Sequence, residues 1–206
     1  MMRTKREVNA RRSASAPATK AILLVFAGAA LLLAGLAYWR ESASPGTAND
    51  DRPYLAQMHS GETAPAFAGV ALSGRKIRFP QDYGGKVALI DFWATWCPPC
   101  RVEFPHLREA YQMFRDRGLE IIGLSLDAHH SIPADNVRRF LNDSNAAWEV
   151  IYEGTSEIAA QYQVSAIPAA FLVDGTTGTI LARDDRLRGD ALLKTLEKAL
   201  KQRSPG

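Results

Sequence analysis

Cys97 and Cys100 are the only cysteines in the chain, and they lie three residues apart. A disulfide closing so short a loop constrains the unfolded chain little, which makes a purely structural bridge a weak explanation for the pair. A zinc site needs about four ligands. Beside the cysteines the sequence offers only His59, His106, His129 and His130, with no second CxxC and no HxxxH spacing, so no metal is expected. The local context favours redox chemistry. Val87–Trp93 (VALIDFW) is a nearly continuous apolar run, as expected of a strand covered on both faces, and it feeds directly into Cys97-Pro98-Pro99-Cys100. With Cys97 as N-cap and Pro98 as first helical residue, a position proline favours, the helix N-terminus stabilises a thiolate and makes Cys97 the nucleophile. Cys100, one turn inside, is then placed to attack the resulting mixed disulfide and release the product. The redox-active Cys97–Cys100 disulfide is itself the redox group, and no cofactor is expected.

The elements that must position this pair can be read from periodicity and turn residues. Phe67–Leu72 and Lys76–Phe79, with Ser73-Gly74 between them, predict a β-hairpin. The helix that starts at Pro98 should run to about Arg117, kink at Pro105 and end at Gly118. Leu119–Leu126 predicts a second buried strand, Asp135–Leu141 a helix, Trp148–Tyr152 a short strand and Ser156–Tyr162 another helix. Ala170–Val173 and Thr179–Arg183 predict two strands joined through a turn at 174–178. A last helix is expected from Asp190 as N-cap, with Leu192, Leu193, Leu196 and Leu200 on one face. Strands alternating with helices and closing on a hairpin indicate an α/β sheet with helices on both faces. Asp91 lies within the apolar run six residues before Cys97. It is either an exposed acid at a strand start or a buried one; a buried carboxyl has a raised pKa and can accept the Cys100 proton.

The stretch Asp91-Phe-Trp-Ala-Thr-Trp-Cys97-Pro-Pro-Cys100-Arg101 resembles the active-site segment of thioredoxins. Its continuation Cys100-Arg-Val-Glu103-Phe-Pro105, with Pro65-Ala-Phe67 and Gly84-Gly-Lys86-Val87 upstream, resembles the membrane-anchored TlpA/ResA-type thiol:disulfide oxidoreductases of the AhpC/TSA-like branch. So does the distance from Cys100 to Ile167-Pro168, which leaves room for an inserted strand–helix unit around residues 126–152. The resemblance covers about residues 64–200 and implies a thioredoxin-like fold with an N-terminal β-hairpin. It implies that Pro168 is the family's cis-proline, leaving the backbone of Ile167 free to pair with a substrate strand. Ala169 stands where many relatives carry Thr, and Asp91 where many carry Asn. Glu103 matches the acid that tunes the active-site thiols in this branch, although a solvated acid in the first helical turn would look the same. Trp96 matches a position flanking the site and is expected to cover the disulfide, while Trp93 is expected to pack in the core.

Neither Pro98 nor Pro99 has an N–H, so a Cys97 thiolate can take a backbone hydrogen bond from Cys100 but not from positions 98 or 99. With fewer donors the pKa should stay near the thioredoxin value of about 7 rather than the strong-oxidant value of about 3.5. A less stabilised reduced form has a more negative potential, which predicts a reductant. The expected activity is a protein-disulfide reductase acting on selected exported proteins. By resemblance these would carry haem-site cysteines in cytochrome c maturation or copper-site cysteines of an oxidase, with a membrane electron donor of the DsbD/CcdA type. Three other functions compete. A peroxiredoxin-like thiol peroxidase requires Pro-x-x-x-Thr-x-x-Cys, but Ala94 occupies the threonine place and Thr95 is one residue too near Cys97. Copper chaperones of this fold have three residues between their cysteines rather than two. A generic thiol oxidase is separated from a reductase by potential alone.

The net charge of +3 hides an asymmetry. Arg3, Lys5, Arg6, Arg11, Arg12 and Lys20 against Glu7 give residues 1–39 a charge of +5, which leaves −2 for the remainder. The body therefore has no basic character that would suit nucleic acid. Ala21–Trp39 contains no charged residue, and as a helix it would span roughly 28 Å, close to the hydrocarbon thickness of a bilayer. With the basic residues on its N-terminal side, the positive-inside rule places everything after Arg40 outside the cytoplasm. The organisation expected is a basic cytoplasmic tail (1–20), a transmembrane anchor or signal segment (21–39), a linker rich in small and polar residues (40–62) and the thioredoxin-like domain (63–206). The localisation expected is the inner membrane, single-pass, with the catalytic domain periplasmic. Gly35-Leu36-Ala37 would serve as a cleavage site if the segment were instead a signal peptide.

Overall fold

The computed structural model of the chain describes residues 58–202. The tail, the apolar segment 21–39 and most of the linker lie outside them. Among the described residues no helix is long and apolar enough to cross a membrane.

A five-stranded sheet forms the centre. Its strands are β3 (Val87–Trp93), β4 (Leu119–Ser125), β5 (Glu149–Ile151), β6 (Ala169–Asp174) and β7 (Ile180–Arg183), in the spatial order β5-β4-β3-β6-β7. The first three run parallel, and β6 and β7 are antiparallel to their neighbours. Strands β1 (Phe67–Val70) and β2 (Lys76–Phe79) form the expected hairpin as a separate two-stranded sheet. Helices α1 (Pro98–Phe114), α2 (Ala134–Asp143), α3 (Thr155–Gln161) and α4 (Gly189–Lys201) complete the fold.

Every residue of β3 is buried, because the sheet is covered on both sides. Alternation along the strand sends Leu89 and Trp93 to one side, where they pack with Phe104, Leu107 and Phe114 of α1 and Leu192, Leu196 and Leu200 of α4. Ile90 and Phe92 face the other side, against the hairpin and Ile158, Ala159 and Tyr162 around α3. Side chains of this size contribute about 1.5–3 kcal/mol each when fully buried. Asp91 shares the parity of Leu89 and Trp93, so it points to the side of α1. Its neighbours in register are Gly123 on β4 and Ala170 on β6.

Helix α1 continues through Pro105 and stops at Phe114, and a 3-10 turn leads to Gly118 at φ +96°. This is the left-handed C-terminal position that glycine fills without steric cost. Four strands are shorter than expected: β1 ends at Val70 and β5 spans only Glu149–Ile151, each two residues short, while β4 and β7 each lose one residue. The last helix also differs. It begins at Gly189 with Arg188 at the N-cap, and Asp190 lies inside the first turn without capping it. The cap comes from another helix, since the Gly189 N–H donates to the Glu103 carboxylate at 3.0 Å.

Candidate active site

Cys97 sits at the C-terminal side of β3, at the N-cap of α1, with Pro98 and Pro99 opening the helix. It has extended backbone torsions (φ −91°, ψ 104°), and its Sγ accepts the Cys100 N–H at 3.2 Å. The two cysteines are bonded, with Cα atoms 5.3 Å apart. Both are buried, whereas Pro98 and Pro99 are exposed.

Asp91 lies behind the disulfide-bearing end of the sheet and is only 6% exposed. That excludes an exposed acid at a strand start. Burial pushes its carboxyl up to about 7; the Arg188 guanidinium opposes this rise and the Glu103 carboxylate adds to it. Glu103 is half-buried on the second turn of α1 and is committed to the Gly189 N–H, so it is not a solvated acid.

The Ile167-Pro168 peptide is cis. Because Phe92 pairs with Ala169, Pro168 arrives at the same end of β3 from which the chain runs to Cys97. Among the described residues the main chain of Ser165, Ala166 and Ile167 makes no hydrogen bond. Trp96 is 44% exposed, with its ring edge-on to His130 at 4.5 Å between centroids. Together with Leu126, His129, Val164 and Ile167 it lines a groove of about 480 Å³. Trp93 is fully buried, edge-to-face on Phe104 at 4.6 Å, as a packing residue should be. No group of His, Cys, Asp and Glu suited to a metal occurs among the described residues.

A family model described as the AhpC/TSA family matches residues 60–182. The chain belongs to the AhpC/TSA family. The thiol-disulfide oxidoreductase ResA of Bacillus thuringiensis subsp. konkukian is 33% identical over 149 residues, which is 72% of this chain and 81% of that protein. ResA of Geobacillus thermodenitrificans is 31% identical over 131 residues, 60% of this chain and 72% of that protein. Among solved structures, the thioredoxin domain of a thiol-disulfide oxidoreductase from Bacteroides vulgatus superposes with a TM-score of 0.62 at 31% identity, covering 69% of this chain and 99% of that one. A thiol:disulfide interchange protein from Bacteroides sp. gives a TM-score of 0.61 at 30% identity, covering 70% and 91%. The AhpC/TSA domain of this chain is thioredoxin-like, and its enzyme class is thiol-disulfide oxidoreductase.

Two acids of this AhpC/TSA domain were not marked by the sequence. Asp127, fully buried after β4, accepts the Thr95 N–H at 3.0 Å and hydrogen bonds from the Thr95 and Ser125 hydroxyls, fixing the loop that leads into Cys97. Asp184 reads in the sequence as part of a solvated acidic turn with Asp185. That reading is wrong for Asp184, which is 3% exposed and accepts the Ala170 N–H at 3.3 Å. No local signal separates these acids from ordinary loop residues, because the backbone N–H groups they accept, those of Thr95 and Ala170, lie 32 and 14 residues away.

Proposed function

We propose that this thiol-disulfide oxidoreductase reduces disulfides of selected exported proteins. The observation that carries this reading is the donor set of Cys97: its Sγ takes the Cys100 N–H, and the two residues between them are prolines with nothing to donate. A weakly stabilised Cys97 thiolate favours giving up the electron pair of the dithiol. In the forward reaction the Cys97 thiolate attacks one sulfur of the substrate disulfide, and the other sulfur leaves as a thiolate. Cys100 then gives its proton to the Asp91 carboxylate and attacks Cys97 Sγ. The Cys97–Cys100 disulfide forms, and the second substrate sulfur departs. Two electrons pass from the dithiol to the substrate. The free main chain at Ile167, beside cis-Pro168, is where an extended substrate segment would pair, with Trp96 and the adjacent groove receiving its side chains.

The resemblance to membrane-anchored relatives supports placing the domain on the outer side of the inner membrane, held by residues 21–39. It also supports haem-site or copper-site cysteines as substrates, with a DsbD/CcdA-type donor returning electrons to Cys97–Cys100. A peroxidase reading gains nothing from the site, since the Thr95 hydroxyl is committed to Asp127. Equilibration of the couple in thiol–disulfide buffers, followed by tryptophan fluorescence, tests the direction of transfer. A potential near or below about −220 mV supports a reductase; a value near −120 mV makes the protein an oxidase and overturns the reading.

A further inference from the structure

Asp184, which is buried, and Arg188, which is only half-buried, form an acid–base pair that the chemistry above leaves unused. Strand β7 ends at Arg183, opposite Phe171, and Asp184 follows at φ +45°. Leu172 pairs with Ala182, and alternation along β6 turns the Ala170 N–H to the same edge, where β7 has already left. The Asp184 Oδ1 takes the place of the missing strand by accepting that N–H at 3.3 Å. Arg188 lies four residues on. Its Nη2 is 3.8 Å from Asp184 Oδ1 and donates to the carbonyl of Pro168. Segment 168–170 is thus held from this edge by two side chains. Ala170 is the register partner of Asp91, and the charge of Arg188 opposes the effect of burial on the Asp91 carboxyl. The charged and titratable groups facing Asp91 are Glu103 from α1, Arg188 from the N-cap of α4, with Asp184 behind it, and the cysteine pair once reduced.

We propose that Arg188 is a positioning residue of the redox site, fixing the Pro168 carbonyl beside the substrate-docking segment and supplying the half-buried positive charge that faces Asp91. One guanidinium thereby links the docking segment to the acid that takes the Cys100 proton. The catalytic half of this role rests on the reading of Asp91 as that acid. Removal of the charge leaves Asp91 protonated over more of the neutral range and so unable to receive the proton, and the resolving step then needs a higher pH.

The test compares Arg188→Gln, Arg188→Lys and Asp91→Asn with the full-length parent. The Asp91 carboxyl is titrated by carbon-13 NMR in the oxidised state, which needs no turnover. The resolving step is followed as release of thionitrobenzoate from its mixed disulfide with Cys97, across pH. In Arg188→Gln the Asp91 midpoint should rise by about one pH unit, a tenfold change in proton affinity, and the resolving-step profile should move with it. Arg188→Lys should keep both midpoints near the parent's, while KM for a disulfide-closed peptide rises several-fold because the planar guanidinium's Nη2 hydrogen bond to the Pro168 carbonyl is lost. An unmoved Asp91 midpoint in Arg188→Gln overturns the proposal. A moved midpoint with an unmoved kinetic profile, together with an unchanged profile in Asp91→Asn, overturns instead the assignment of Asp91 as proton acceptor and the catalytic half of the role with it. Should Arg188→Gln not fold, the Asp184→Asn, Arg188→Gln double variant leaves neither charge unpaired and carries the same readouts.

Discussion

A carboxyl pushed up to about 7 from an ordinary value of 3.8 has consequences for stability as well as for proton transfer. Between about pH 4 and pH 7 the folded protein keeps a proton on Asp91 that the unfolded chain has released. Stability therefore falls as pH rises through this window, and the loss is complete above pH 7. Three pH units correspond to at most about 4 kcal/mol, and structural relaxation will reduce that. Asp91→Asn removes the ionisation while keeping the shape. Its unfolding free energy in guanidinium should match the parent's near pH 4 and exceed it by about 1–3 kcal/mol at pH 8, with the resolving step slowed in return. Equal effects at both pH values would show that Asp91 does not titrate in this range. A second substitution probes the thiolate. Pro99→His restores an N–H within the CxxC turn, where it can stabilise the Cys97 thiolate. The potential should rise by about 30 mV or more, equivalent to 1.4 kcal/mol for a two-electron couple, in a glutathione titration.

At the scale of elements, Glu103 ties the helix that carries the cysteines to the helix that closes the domain. Two effects of this carboxylate can be separated. Glu103→Ala removes the cap at Gly189 and should destabilise by about 1 kcal/mol, read by denaturant unfolding. Glu103→Gln keeps an acceptor for that N–H but removes the charge that raises the Asp91 carboxyl. It should retain most of the stability while the Asp91 midpoint falls. What the sequence could show about these elements follows the range of the interactions involved. Strand β3, the proline-led start of α1 and the glycine at 118 are decided by neighbours in the chain, by apolar runs, N–H-less residues and positive φ, and they stand where the sequence places them. The cap of α4 lies two residues before the one the sequence indicates, because its capping carboxylate is 86 residues away on α1 and Asp190 is judged locally without it. Asp184 was misread for the same reason. Its burial depends on β7 ending one residue short of Ala170's free N–H, a matter of register that no local pattern reports. The cysteine pair is legible because its chemistry is local, whereas the charges around Asp91 are assembled across the sheet.

For the whole molecule, the distribution of charge bears on where the enzyme works. Residues 1–39 carry +5 and include 19 consecutive uncharged residues, whereas positive and negative side chains balance in the domain at 63–206, and on this asymmetry we propose that the domain lies outside the membrane. On the proposed reading, a tether would raise the local concentration of Cys97 at membrane-bound partners without any new contact, an advantage for a reductase supplied by a membrane donor. The full chain should sediment with membranes and resist alkaline carbonate, and its thioredoxin-like domain should be digested when protease is added outside spheroplasts. Replacing Leu31 and Leu33 with Arg should abolish both behaviours, because each charge at the centre of a span costs roughly 2.5–3.5 kcal/mol on insertion. A soluble periplasmic product beginning near Tyr38 would instead identify Gly35-Leu36-Ala37 as a cleavage site, leaving the export reading intact but removing the tether. A cytoplasmic, protease-protected domain would contradict both. The disulfide would then face a reducing pool at about −220 to −260 mV, which would leave it no distinct role as a reductant of exported proteins.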